Sequence, residues 1–133
     1  MVNFQAVFYR DASGREPVRE FIDALDDDSQ VAIEHQIVRL NLLSDAIPHL
    51  PFPHSSQVEG ELRELRCHHG RYLYRILYRR SERLVVLLHM FPKRSAKINQ
   101  GDIRVAQDRW EDFKARMDAP RRVPPRAAGH DAP

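Results

Sequence analysis

Cysteine occurs once in this 133-residue chain, at Cys67, so no internal disulfide can form and a thiolate metal cluster is excluded. No apolar run approaches the roughly 18 residues that a membrane span needs. The opening MVNFQAVFYR lacks the basic-then-apolar order of a secretion signal, and a cytoplasmic location is expected. Glycine is scarce, five in all. Neither a glycine-rich phosphate loop nor a nucleophile elbow is present, and no H-E-x-x-H zinc helix occurs. A hydrophobic fraction of 42% and a net charge of +2 describe an ordinary globule of one domain, with too little excess charge to mark a nucleic-acid binder by itself.

What the chain does have is charge sorted by position. From Asp11 to Ser29 seven acids face Arg15 and Arg19, about −5 by formal count. From Val58 to Lys97 ten bases face Glu59, Glu61, Glu64 and Glu82, about +6, which is either a phosphate-facing surface or a set of solvated strand ends.

Hydrophobic periodicity orders the elements. Val2 to Tyr9 is rich in Val, Phe and Tyr and reads as a strand closed by the Asp11–Gly14 turn cluster. Pro17 suits a first helical turn, and Val18, Phe21, Ile22 and Leu25 follow at helical spacing. A second helix carries Ile33, Ile37 and Leu40, with Asp28 or Ser29 as its expected N-cap; so short a link implies an antiparallel helical hairpin. Residues 44–57, with three prolines, read as a loop. Strands are expected at Glu61 to Cys67, Tyr72 to Arg80 and Leu84 to Phe91, joined by short turns as an antiparallel meander. The last is apolar at nearly every position and should lie centrally. Asn99 caps a closing helix whose buried stripe is Ile103, Ala106, Trp110 and Phe113 and which ends near Met117. The expected fold is α+β: a small antiparallel sheet with an N-terminal helical hairpin and a C-terminal helix packed on it, the helices covering one face and leaving part of the other free. It forms one domain over 1–117, and the Pro/Arg-rich segment 118–133 reads as a disordered tail. No internal repeat is visible.

Alternation along the strands sets Leu62, Glu64 and Arg66 on one face and Arg63, Leu65 and Cys67 on the other. On the next strand Tyr72, Tyr74, Ile76 and Tyr78 share a face, with Leu73, Arg75 and Leu77 opposite. Arg75, flanked by apolar residues, needs a partner when buried. Glu64 is the structural candidate, in which case the pair does no chemistry. Alternatively, Arg66, Arg75, His89, Lys93 and Arg94 gather around one free patch of sheet. Such a patch suits cleavage of RNA through its own 2′-hydroxyl: His89 for acid or base work, Arg66, Arg75 and Lys93 for the charge of the phosphorane, and Tyr72 or Tyr74 to stack on a base, with Arg63 and Arg94 on the RNA backbone. The competing readings are a satisfied core histidine at position 89 and packing tyrosines. Cys67 reads as packing, and His68 and His69 as solvated turn residues that offer at best a weak metal site. No cofactor is called for. A metal-dependent nuclease would need clustered carboxylates, whereas the acids sit mainly on the helices.

The segments PVREFIDAL, LRELRC, YRILY and VLLHMFPKRS, in this order and spacing, resemble the phage-derived (Gp49-like) branch of the RelE/HigB-like toxin superfamily over roughly Val2 to Phe113. The resemblance implies the toxin of a type II toxin–antitoxin pair, an endoribonuclease that cleaves mRNA, commonly on the 70S ribosome, and is silenced by a neighbouring helix-turn-helix, HigA-like antitoxin. Arg66, Arg75 and Lys93 match the family's recurrent basic positions and Glu64 its recurrent acid. Arg94 replaces a usual second lysine, Ile98-Asn99 replaces a Thr-Pro, and no tyrosine lies in the final helix, so the general base is not identified. A catalytically silent member that only binds an antitoxin or nucleic acid is the alternative.

Overall fold

The α+β, RelE-like arrangement expected from the sequence is the one found in a computed structural model, which describes residues 3–118 and 126–128. In chain order the elements are strand β1 (Gln5–Phe8), helices α1 (Pro17–Asp23) and α2 (Asp27–Leu40), strands β2 (Ser55–Glu59), β3 (Leu62–His69), β4 (Tyr72–Ser81) and β5 (Leu84–Pro92), helix α3 (Gln100–Met117) and a two-residue strand β6 (Arg126–Ala127). No helix among the described residues is long and apolar enough to cross a membrane.

Local chemistry explains most boundaries. Pro17 opens α1, where its missing N–H costs nothing. The cap of α2 is Asp26, two or three residues earlier than expected, and its side chain accepts from the Ser29 N–H at 3.2 Å. This leaves Asp27 and Asp28 in the first turn, where negative charge meets the positive end of the helix dipole. Asn99 caps α3 as expected, accepting from Gly101 N at 2.7 Å and Asp102 N at 3.3 Å.

The sheet order is β2-β3-β4-β5-β1-β6. Strands β2 to β5 form the antiparallel meander, and β1 joins β5 in parallel. Strand β5 is thus interior to the sheet, which accounts for its unbroken apolar run. On one face Leu65, Cys67, Ile76 and Leu87 pack with Val18 and Ile22 of α1 and Ile33 and Ile37 of α2. On the other, Leu77, Val86 and Leu88 pack with Ile103, Ala106, Trp110 and Phe113 of α3. Each fully buried aliphatic contributes about 1.5–3 kcal/mol.

Two expectations are corrected here. The helices do not share one face: α3 takes the face opposite the hairpin, because β4 and β5 present apolar side chains on both sides and α3 has its own stripe to bury. Residues 55–57, read as the end of a loop, open edge strand β2; the sequence SSQVE is short and polar and becomes a strand through pairing with β3. Within the expected tail, Arg126–Ala127 pairs with β1 and Ala128 is buried, held by Asn41 Nδ2 donating to its carbonyl at 3.1 Å. The other tail residues, 119–125 and 129–133, lie outside the described residues.

A register shift between β4 and β5 pairs Leu77 with His89 but Tyr78 with Leu87. Leu88 is the extra residue of this bulge. In consequence Leu88 and His89, neighbours in sequence, both meet α3: Leu88 joins its core and His89 bonds Asp102 in its first turn.

Candidate functional site

On the α3 face the apolar floor ends toward β3, and there the charged residues begin. Arg66 and Arg75 are cross-strand partners, and Glu64 stands opposite Leu77. Glu64 Oε1 lies 3.0 Å from Arg66 Nε and Glu64 Oε2 3.3 Å from Arg75 Nε. The carboxylate read from the sequence as Arg75's partner therefore serves two guanidiniums. Ser56 Oγ donates to Glu64 Oε1 at 2.9 Å, and Arg75 Nη2 donates to the Ala96 carbonyl at 3.1 Å. Arg75 is 2% exposed and Glu64 4%. The ion pairs lack hydrogen-bond alignment: Glu64 Oε2, Arg66 Nε and Arg75 Nε are sealed from solvent and make no hydrogen bond among the described residues. Two cations against one anion leave the floor positive.

Above this floor opens a cleft of about 450 Å³ bounded by Ser56, Glu64, Arg66, Arg75, Lys97 and Gln100, among others. A smaller depression of about 50 Å³ adjoins it, lined by Arg75, Phe91, Arg94, Lys97 and Asp102. Because Arg75, Lys97 and Ile98 border both, the two form one furrow running from β2–β3 to the start of α3.

At the far end, Asp102 holds both His89 and Arg94: Oδ1 lies 2.8 Å from His89 Nε2, and Oδ2 accepts from Arg94 Nη2 at 2.6 Å. A carboxylate can only accept, so Nε2 carries the proton and Nδ1 faces Arg109 Nη1 at 3.4 Å. Burial lowers the His89 pKa, and the nearby Arg109 and Arg94 charges add to this; the bond to Asp102 opposes them without reversing the direction. His89 is therefore a neutral imidazole with both nitrogens engaged. The exposed Lys93 side chain makes no hydrogen bond or ion pair among the described residues, while its backbone N–H donates to Leu73 O at 2.8 Å.

The structure thus brings Glu64, Arg66, Arg75 and Arg94 to one furrow and sets His89 at its end behind Asp102. It separates Arg63, Tyr72 and Tyr74, which belong to the hairpin face: Tyr72 and Tyr74 stack with centroids 6.4 Å apart, Tyr74 meets Phe21 of α1 edge-on at 5.9 Å, and Arg63 Nε donates to Ser55 Oγ at 3.3 Å. Cys67 is packed, and burial pushes its thiol up to about 12. His69 sits with Asp26 and Asp28, one ligand atom from each within 4.8 Å of the others; Asp26 is already engaged as the α2 cap. Sequence reasoning missed Ser56, Lys97, Asp102 and Arg109 as members of the site. Only Asp102 gave a signal, its place in the first turn after Asn99.

No curated protein matches the chain. The model of the family described as phage derived protein Gp49-like (DUF891) matches residues 20–111, from within α1 to within α3, a stretch that contains β3, β4, β5 and every furrow residue named above. With more than half of its length matched, the chain belongs to the phage-derived Gp49-like family.

Proposed function

We propose that this protein is the toxin of a type II toxin–antitoxin pair and cleaves mRNA in the α3-face furrow, acting on the 70S ribosome and silenced by a helix-turn-helix, HigA-like antitoxin. Membership of a toxin-like family supports the toxin reading. The observation that carries the chemistry is the furrow floor, where one carboxylate is set against two guanidiniums, Arg75's buried and Arg66's half-buried, whose Nε atoms make no hydrogen bond among the described residues. Positive charge fixed in a partly desolvated groove is what a pentacoordinate phosphorane requires when a 2′-oxygen attacks phosphorus and the 5′-oxygen leaves. Arg66 and Arg75 supply it from the floor and Arg94 from the rim, and Lys93, next to Arg94 in the chain but outside the furrow lining, adds to it; side chains alone provide these charges, so the reaction is written without a metal. His89 can exchange a proton with substrate only after releasing one ring nitrogen from Asp102 or Arg109.

That last point favours a second reading, a catalytically inactive RelE-fold module that binds an antitoxin or nucleic acid through the same furrow. Tightly controlled expression separates the two. The toxin reading expects growth arrest, relief by the small open reading frame beside the gene, and cuts in translated RNA that naked RNA does not show. Arg66→Ala and Lys93→Ala should each relieve the arrest while circular dichroism remains native. A folded protein that arrests nothing moves the assignment to the binding module, and full toxicity of both variants overturns the furrow assignment.

A further inference from the structure

On the opposite face of the sheet, Arg63 of β3 pairs in register with Tyr78 of β4, and Arg80 lies two residues along β4. Arg63 and Arg80 are therefore diagonal neighbours on one face, residues about 7–8 Å apart and within reach of one ligand. Each is held in a way that leaves donors free. Tyr78 OH and Ser55 Oγ are 2.6 Å apart, and Ser55 Oγ takes the Arg63 Nε proton at 3.3 Å, so the terminal nitrogens of Arg63 are unspent. Arg80 stacks over the Phe4 ring at 4.7 Å, an arrangement that occupies its face and not its in-plane N–H groups. Neither makes an ion pair among the described residues.

Both border a cleft of about 490 Å³, larger than either part of the furrow and lined also by Leu43, Pro48, His49 and Val85, the last the cross-strand neighbour of Arg80. Two acids also line it. Glu61 is drawn to Arg79 at 2.7 Å, while Glu82 sits at the β4–β5 turn with φ of 53°. Burial lowers the His49 pKa, and the charges of Arg63 and Arg80 beside it act in the same direction.

We propose that this cleft binds a nucleoside phosphate, its phosphate bridging the Arg63 and Arg80 guanidiniums and its base against Leu43, Pro48 and Val85. Two guanidinium forks at this spacing match the several acceptor oxygens of one phosphate group, and the volume is that of a small-ligand pocket rather than of an extended peptide track. The ligand is a free nucleotide or one unit of an RNA strand, the chemistry being shared. Nothing here depends on the furrow's activity, since the site lies on the other face of the sheet.

Calorimetric titration of the full chain tests it with four probes: a nucleoside 5′-monophosphate, the same nucleoside without phosphate, inorganic phosphate, and a 2′-O-methyl tetranucleotide that cannot be cleaved by 2′-oxygen attack. The monophosphate should bind one site more tightly than either the nucleoside or phosphate alone. Arg63→Ala and Arg80→Ala should each weaken it about tenfold or more. Arg80→Lys should fall between, Glu82→Gln should strengthen binding, and Arg104→Ala, an equal loss of charge on exposed α3, should change nothing. A tetranucleotide bound more tightly than the monophosphate, and weakened by the same variants, assigns the cleft to an RNA strand; the reverse order assigns it to a free nucleotide. Absence of binding by both phosphorylated nucleoside probes overturns the proposal and leaves the cleft to a protein partner. Binding indifferent to Arg63→Ala and Arg80→Ala in natively folded variants, or equal for nucleoside and nucleotide, overturns it as well.

Discussion

Glu64 holds Arg66 and Arg75 at once, one carboxylate oxygen to each, at 3.0 and 3.3 Å. The two arginines differ in burial: side-chain exposure is 21% for Arg66 and 2% for Arg75. Removing a buried partner strands the remaining charge, so Arg75→Ala should cost about 3–5 kcal/mol of stability and Arg66→Ala about 1 kcal/mol or less. Replacing Glu64 by Leu together with Arg75 by Met should recover most of the larger loss, since the fully buried pair goes as a whole and Arg66, which loses its partner, still reaches solvent. Urea denaturation of the three variants measures this, and an Arg75→Ala protein within 1 kcal/mol of the parent would refute the description of the pair. Arg75→Ala consequently tests folding before it tests function, which is why Arg66 and Lys93 are the better probes of the furrow.

His89 gives the fold a pH dependence of definite sign. Its pKa is lowered from 6.5 by burial, so the unfolded chain takes up the proton first as pH falls. The contribution of the neutral ring is complete above pH 6.5 and is lost as the pH drops toward the folded value, at no more than about 1.4 kcal/mol per pH unit. His89→Gln should flatten this part of the stability curve and leave the slope above neutrality unchanged. An identical slope in both proteins from neutrality down through acid would show that the ring is not held neutral by the fold.

How much of this was legible in the sequence follows from the range of the forces involved. The Glu64–Arg75 pair was readable because period-two alternation puts both side chains on one face, and an arginine among apolar neighbours demands an anion. The same alternation sets Tyr72 and Tyr74 opposite Arg75, so gathering them with Arg66 around one patch is something the strand period does not permit. Strand β2 was hidden because SSQVE has no buried stripe of its own and pairs only once β3 exists. Asp102 was hidden as a site residue because its meeting with His89 depends on which face α3 chooses and on a bulge at Leu88. Neither is encoded within a local window. The parallel joining of β1 to β5 is likewise a tertiary outcome with no local signature.

Tyr9 and Asp112 tie β1's exit to α3 across the core, with Tyr9 OH donating to Asp112 Oδ2 at 2.6 Å and Arg116 Nη2 on the same oxygen at 2.8 Å. Tyr9→Phe should cost about 1.5–3 kcal/mol, the range for hydrogen bonds to charged groups. Burial first, and then Asp112, raise the Tyr9 pKa from 10.0 to about 12. The stabilisation is whole below pH 10 and is lost as the pH rises through the folded value, because the unfolded chain ionises first. The stability gap between parent and Tyr9→Phe should therefore narrow between pH 9 and pH 11 in denaturant titrations. A gap that stays constant or widens would mean that the hydroxyl is not the proton donor to Asp112.

Asn41, at the end of α2, decides whether residues 126–128 stay on the sheet. Its Oδ1 accepts from the Ala6 N–H at 2.7 Å, and its Nδ2 donates to Ala128 O at 3.1 Å, while Ala128 N donates to Ala6 O at 2.8 Å. One buried amide thus satisfies β1 and the returning chain together, and neither aliphatic nor carboxylate side chains can do both. Asn41→Ala should leave the Ala6 N–H unpaired, cost about 1–3 kcal/mol, and speed hydrogen exchange at both Ala6 and Ala128. Asn41→Asp keeps the acceptor for Ala6 but sets a carboxylate oxygen against the Ala128 carbonyl, so exchange should rise at Ala128 and stay slow at Ala6. The split between the two variants is the informative result: it arises only if the amide nitrogen, and not the mere volume of the side chain, holds this segment to β1. Equal protection of Ala128 in the parent and both variants would place its anchoring elsewhere, in the β1–β6 backbone pairing and the Gln5 Nε2 donation to Ala128 O at 3.2 Å.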